Sequence, residues 1–450
     1  MNTSFFGEML QTISERGRAL IDRARDRRGD SAARSENLID LCEELLSGRG
    51  EASGVALARE ILGVYADLTV GPRIAFFEAL ATRFGVDRER IDAAVDAWTR
   101  SSSDEAAAEL HLAAEPRRQE LFRRLNLAPG GTAALVAMRE ELMDALVLRE
   151  DLIAVDQDFV HLFSSWFNRG FLVLRRIDWS TPALILEKFI RYEAVHQIRD
   201  WDDLRRRIDP PDRRCYAFFH PALNDEPLIF VEVAFTNGLP RAIAPILGND
   251  GNTLAPAEAN TAVFYSISNC QRGLTGVSFG SFLIKQVAEE ISREFPRLSA
   301  FVTLSPVPGF ASWLKRERAS NNPILLPEDL DELAALDKPD WWRDGTAEQL
   351  KEPMLHAAAT YFLTARSRTG GALDPVARFH LGNGARLEQL NPFGDLSEKG
   401  LAQSYGLMVN YLYDVDDIEK NHEAYAENRV IVSANGIRKR ARPGRELAKA

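Results

Sequence analysis

The sequence predicts an α+β protein: an all-α N-terminal domain over residues 1–168, then a mixed-sheet α/β domain over 169–450 with a helical insert at about 311–370. Three observations predict this. Residues 1–165 repeat apolar side chains at three- and four-residue spacing, with turn residues between the repeats. From Asn168-Arg169-Gly170 onward, short β-branched or aromatic runs alternate with helical ones. Residues 261–310 then read as strand, glycine-rich turn, helix, strand and proline-locked turn.

In the N-terminal domain the spacing predicts helices over 35–46, 52–68, 73–83, 87–101, 104–115, 119–125 and 132–148. Gly48-Arg49-Gly50, Gly71-Pro72, Gly85 and Pro129-Gly130-Gly131 break them. Ser102 or Ser103 with Asp104 reads as a helix start, and Thr132 as the cap of the next helix. A bundle or stacked helical pairs follows. The arginine run 23–28 reads as a solvated helix face rather than an anion site.

In the second domain 171–177 is a strand, and Thr181-Pro182 opens a helix through Tyr192. Trp201–Ile208 reads as a short basic helix. Strands 215–219 and 228–236 form a hairpin through Asn224-Asp225, and 242–247 reads as a further strand. Arg205–Arg207, Arg213 and Arg214 read as a charged rim at a sheet edge, with contact to cofactor phosphates as the other possibility. The insert predicts helices over 312–318, 327–336 and 347–363, with Trp341-Trp342 in an apolar seam. Val376–Phe379 is strand-like and leads into His380 and the Asn383-Gly384 turn. A helix over 396–404 and a strand over 407–413, with Tyr411 and Tyr413 on one face, complete the domain.

Composition narrows the partners. The net charge of −11 argues against a general nucleic-acid or anionic-membrane binder. Three cysteines far apart, and seven histidines without HxH or HExxH, predict neither a disulfide framework nor a metal site. No apolar run is long enough to span a membrane. The N-terminus is amphipathic and Arg-rich in the manner of a mitochondrial transit peptide. Glu8, Glu15 and Asp22 favour a cytoplasmic protein instead. The basic tail 438–445 implies no nucleic-acid role.

The candidate site begins at Gly273, Gly276 and Gly280. Glycines let a backbone approach a ligand closely, and a helix start offers free N–H groups and a positive dipole end to phosphates. A purely structural glycine turn fits the same pattern. Ser305 stands at a strand end, held by Pro306, Pro308 and Gly309. His380, taken by spacing alone, is more often a satisfied core or surface residue than a catalyst.

Five segments carry a resemblance: FYSIS at 264–268, QRGLTGVSFGSFLIK at 271–285, LSPVPGF at 304–310, ARFHLGNGA at 377–385 and GLMVNYLY at 406–413. In this order and spacing they resemble the malonyl-CoA decarboxylase family over about 171–440. The resemblance implies a catalytic domain of the GCN5-related N-acetyltransferase (GNAT) type behind a helical domain that serves assembly, as a dimer or tetramer. It implies decarboxylation of malonyl-CoA to acetyl-CoA and CO2, with no cofactor beyond the substrate's coenzyme A and no metal. His380 falls on the family's catalytic histidine, and Ser305 on a contact to the malonyl carboxylate. The segment Thr275, Gly276, Val277, Ser278, Phe279, Gly280 and Ser281 would hold the coenzyme A pyrophosphate, with Ser266 and Tyr413 near the acyl group. Ser278 departs from the acidic residue many relatives carry there. No GxSxG elbow surrounds Ser305, so a covalent serine is not expected.

The chemistry requires donors where the enolate oxygen gains charge, a dry pocket that turns the carboxylate out of the thioester plane, and a proton donor. A histidine of unperturbed pKa near ~6.5 suits the last role. The alternatives are an N-acyltransferase of the same fold and a non-catalytic acyl-CoA sensor. Neither needs the Ser305–His380 pair.

Overall fold

The computed structural model describes residues 31–47, 50–248, 253–277, 283–338, 340–343 and 345–441. The arginine run 23–28, the acidic residues of the first thirty positions and the tail beyond 441 lie outside them.

The described chain forms two compact units. One holds the residues up to Leu172 together with His220–Glu226 and 271–277; the other holds Val173–Phe219, Pro227–Cys270 and the residues from Leu283 on. The first unit is helical: α1 (Ser31–Leu46), α2 (Glu51–Ala66), α3 (Val70–Thr82), α4 (Arg88–Ser101), α5 (Asp104–Ala114), α6 (Arg117–Asn126), α7 (Gly131–Leu146) and α8 (Ile153–Trp166). Its core is aromatic: Phe76, Phe77, Phe84, Phe122, Phe159, Phe163 and Phe167 are buried, and Phe122 stacks on Phe159 at 4.1 Å. Each such ring contributes about 1.5–3 kcal/mol by leaving water. Ser103 caps α5, its hydroxyl accepting from the Ala106 amide. Thr132 is not the cap of α7. Gly130 takes that place in the left-handed region, and the Thr132 hydroxyl donates instead to the Asn126 side chain.

The second unit is built on an eight-stranded sheet. Its strands are β1 (Val173–Ile177), β2 (Arg213–Phe219), β3 (Pro227–Thr236), β4 (Thr261–Asn269), β5 (Ala300–Thr303), β6 (Ser305–Pro306), β7 (Arg386–Asn391) and β8 (Met408–Leu412). Their order is β1-β2-β3-β4-β5-β8-β6, with β7 also on β8. All pairs are antiparallel except β4/β5, whose crossover carries α12 (Leu283–Glu294). Before it come α9 (Ala183–Tyr192), α10 (Trp201–Ile208) and α11 (Ala244–Leu247). After it come α13 (Phe310–Arg318), α14 (Pro327–Leu333), α15 (Thr346–Thr364), α16 (Pro375–Gly382), α17 (Glu398–Ser404), α18 (Ile418–Asn428) and α19 (Asn435–Arg440). Helices first, then a mixed sheet dressed with helices, is the fold class the sequence predicts.

One apolar layer packs α9 and α10 against β1–β3 through Phe189, Leu204, Ala217, Phe219 and Phe230. A second gathers Ala234, Ile246, Val263, Val302, Leu304 and Met408. Trp341 is buried, with Trp342 edge-on at 5.7 Å and Phe393 at 5.2 Å.

Three local expectations are corrected. Residues 242–247 end in the short helix α11, not a strand: Pro245 cannot donate to a ladder and fits a first helical turn. Val376–Phe379 lies inside helix α16. Asp374 caps it, accepting from the Val376 and Ala377 amides at 2.9 and 3.0 Å, and Pro375 takes the first turn. The arginines are not all a rim: Arg207 is buried against Glu232 at 3.0 Å, and Arg214 against Glu294.

Candidate active site

The site starts from a parting of strands. β4 and β5 pair over four positions and end at Phe264–Thr303, after which the Leu304 amide still donates to the Phe264 carbonyl at 3.0 Å. Beyond it, among the described residues, no strand pairs with that edge of β4. The other side of the opening is fixed by β8, which pairs Val302 with Leu412 and Ser305 with Val409. β4 itself bulges. Glu232 faces Ser266 and Val233 faces Phe264, leaving Tyr265 as the extra residue. A bulge re-aims side chains and bends its strand.

The parting forms a cavity of about 250 Å³. Val195, Ile267, Pro306, Val376 and Phe379 give it apolar walls, and Ser305, His380 and Asn269 are among its polar groups. His380 reaches it from the last turn of α16. That helix is anchored by Asp374, which also accepts from the Gly309 amide at 3.2 Å and so ties α16 to the turn after Ser305. Gly309 has no room for a side chain: a Cβ there would stand 2.5 Å from the Tyr361 hydroxyl. Burial pushes the Asp374 carboxyl up, against the pull of its amide donors.

His380 Nε2 lies 3.1 Å from Ser305 Oγ, and Nδ1 lies 2.8 Å from the Tyr413 hydroxyl. Tyr411 stacks on the imidazole at 4.5 Å. Ser305 Oγ donates to Thr303 Oγ1 at 2.8 Å, and the Tyr411 amide donates to the same oxygen at 3.2 Å. Ser305, His380, Tyr413 and Thr303 are all buried. Burial takes the imidazole down to about 3, so it stands neutral at pH 7, and it drives the Tyr413 phenol well above its usual range. The unperturbed value expected from the sequence is therefore not what the protein imposes: among the described residues no carboxylate offsets the desolvation of the ring.

Of the residues singled out from the sequence, Ser305, His380 and Tyr413 meet in one hydrogen-bonded chain. Ser266 does not join it. Its hydroxyl donates to Glu193 at 2.7 and 2.8 Å, and Ser268 donates to the same carboxylate at 2.9 Å. Glu193 also accepts from the Val195 and His196 amides at 2.9 and 2.8 Å, so Ser266 helps hold the loop that bears the Val195 wall. Ser278, Phe279, Gly280 and Ser281 lie outside the described residues.

Thr275, Gly276 and Val277 belong to the helical unit. There Arg139 of α7, buried and paired with Asp156 at 2.8 Å, donates to the Gly273 and Thr275 carbonyls at 2.8 Å each. Gly273 is required by close approach: a Cβ would stand 2.1 Å from the Val136 carbonyl oxygen. Gly276 is required by its φ of +81°. The sequence reading missed Arg139, Thr303 and Glu193. Only the apolar spacing of α7 bears on Arg139, and nothing local marks the other two. Among the described residues no group of three or more His, Cys, Asp or Glu is placed to hold a metal ion, and no helix is long and apolar enough to cross a membrane.

Comparison with known proteins agrees with this architecture along the chain. Residues 170–450 match the malonyl-CoA decarboxylase C-terminal domain, and residues 84–167 match the N-terminal domain of the same family. The mitochondrial malonyl-CoA decarboxylase of Anser anser anser is 34% identical over 423 residues, covering 84% of this chain and 82% of its own. That of Rattus norvegicus is 33% identical over 430 residues, covering 88% and 84%. The crystal structure of malonyl-CoA decarboxylase from Rhodopseudomonas palustris is similar at a TM-score of 0.87 and 59% identity, covering 90% of this chain and 99% of that one. The one from Agrobacterium vitis gives 0.86 and 54%, with the same coverage. The chain belongs to the malonyl-CoA decarboxylase family.

Proposed function

We propose that this chain decarboxylates malonyl-CoA to acetyl-CoA and CO2, with His380 as proton donor to the α-carbon and no metal in the step. The observation that carries the reading is the 3.1 Å contact between His380 Nε2 and Ser305 Oγ at the wall of an apolar cleft. Breaking the bond to the carboxylate leaves its electron pair on the α-carbon and the thioester oxygen. The unpaired edge of β4 past Phe264 offers backbone N–H groups for that oxygen, fixed before the charge develops. On substrate binding the Ser305 proton turns from Thr303 to the leaving carboxylate and holds it out of the thioester plane, and the apolar walls favour loss of its charge as CO2. The α-carbon then takes the proton of His380 Nε2, directly or through Ser305.

The depressed basicity of His380 fits this order of events. The ring is neutral, and an imidazole N–H is a stronger acid than a thioester α-C–H, so the carbanion takes the Nε2 proton, and the imidazolate left behind recovers a proton from solvent once CO2 has gone. Tyr413 keeps Nδ1 hydrogen-bonded while Nε2 gives up its proton.

In the same reading the amides of residues 275–281 hold the coenzyme A pyrophosphate; the positive φ of Gly276 supports this, since it exposes successive amides. The helical domain, residues 1–168, carries assembly as a dimer or tetramer. Exposed Val70, Leu127, Val147, Leu148 and Ile153 support a partner surface there. The cytoplasm is the proposed compartment, although the animal relatives are named mitochondrial.

The test is malonyl-CoA supplied with no acceptor. Stoichiometric CO2 and acetyl-CoA are expected. Stable malonyl-CoA, with thiol released only when an amine is added, would instead mark an acyltransferase.

A further inference from the structure

We propose that Thr303 is a positioning residue that fixes His380 as the Nε2–H tautomer, acting through the hydroxyl of Ser305. Two independent parts of the site require the same tautomer. On one side, Ser305 Oγ directs its only proton to Thr303 Oγ1 at 2.8 Å, so toward His380 the serine oxygen can only accept. The ring nitrogen 3.1 Å away must then carry hydrogen. On the other side, the Tyr413 hydroxyl has one hydrogen-bond neighbour among the described residues, Nδ1 at 2.8 Å. A buried neutral phenol donates to it, so Nδ1 is the acceptor. Proton on Nε2 and lone pair on Nδ1 satisfy both contacts; the opposite tautomer sets two lone pairs against each other at Ser305 and leaves the Tyr413 proton without an acceptor among the described residues.

Thr303 can hold the serine proton because its own place is overdetermined. Its side chain is fully buried on β5, the Tyr411 amide donates to Oγ1 at 3.2 Å, and its carbonyl accepts from Asn410 at 2.8 Å. Two donors converge on one hydroxyl oxygen and fill its two acceptor positions. The consequence for the reaction rests on His380 being the proton donor: with Thr303 in place, the transferable proton lies on the nitrogen that faces Ser305 rather than on the one facing Tyr413. Without the Thr303 oxygen, the Ser305 proton turns to Nε2, the ring proton moves to Nδ1, and the donor faces away from the substrate carbon.

Nitrogen-15 spectra of histidine-labelled protein read this directly, with His380 assigned by its loss in His380→Asn. The wild type is expected to show a protonated Nε2 and a bare Nδ1. Thr303→Val, which keeps shape and removes the oxygen, is expected to exchange the two signals and to lower kcat about tenfold or more with KM nearly unchanged. Thr303→Ser, which restores the oxygen, is expected to keep the wild-type pattern and rate. A wild-type His380 protonated on Nδ1 overturns the proposal whatever the variants do, and so does a Thr303→Val spectrum identical to the wild type. Should Thr303→Val not fold, Thr303→Ala gives the same readout. The spectra need no substrate, so a wild type that fails to release CO2 would sink the proposed reaction and leave this assignment standing.

Discussion

Ser305 and His380 are 75 positions apart in sequence and 3.1 Å apart in space, one from a two-residue strand and the other from the last turn of a helix. Asp374 secures that distance. It caps the helix that bears the histidine and accepts an amide from the turn that follows the serine.

Replacing Asp374 by Ala should therefore cost both stability and rate. A lost N-cap alone costs about 1 kcal/mol, and three amides, one buried and two half-buried, lose their acceptor here. Urea unfolding should show a loss of about 2 kcal/mol or more. The folded variant should show reduced kcat, because α16 no longer holds the imidazole at its place. Unchanged stability would mean that the cap contributes nothing.

The buried imidazole makes stability depend on pH in a definite direction. The ring titrates near ~6.5 when unfolded and at about 3 when folded. Between these values the unfolded chain binds a proton that the folded chain refuses, so stability falls as pH drops below ~6.5 and the loss ends near 3. His196, lowered to about 4 by burial, adds a slope of the same sign. Comparing wild type with His380→Gln isolates one residue. From pH 7.5 to pH 5 the wild type should lose about 2 kcal/mol more than the variant. Equal slopes would show that His380 is not held neutral by burial.

Arg139 should act on binding more than on chemistry. It grips two carbonyls of the turn that carries Thr275 and Gly276. In the proposed reaction, loosening that turn weakens the grip on coenzyme A. Arg139→Met should raise KM for malonyl-CoA roughly tenfold, the effect of losing about 1.4 kcal/mol of binding, with a smaller change in kcat. Steady-state kinetics decide it; a pure kcat loss would contradict the role.

The order of elements was legible because helical and strand periodicities differ and the turn residues fall between them. The segment around His380 reads as strand-like from its sequence for a physical reason. Three apolar residues interrupted by Arg378, Val376–Phe379, are too few to show a period, and the decisive signal is the Asp374-Pro375 pair before them. Ser305, His380 and Tyr413 were singled out by motif, yet their meeting depends on strand pairings between β5, β6 and β8 that no local pattern encodes. The resemblance sets Ser266 near the acyl group. The Tyr265 bulge and the buried Glu193 carboxylate, 73 positions away, give its hydroxyl another partner. Thr303 and Arg139 act through contacts visible only once the sheet and the helical unit are folded.

The most direct measurement is CO2 release from malonyl-CoA by His380→Asn, taken beside its affinity for a non-decarboxylating coenzyme A analogue. Loss of at least about two orders of magnitude in kcat, with affinity kept, is the predicted result. A variant that turns over malonyl-CoA at nearly the wild-type rate would contradict the assignment of the proton to His380.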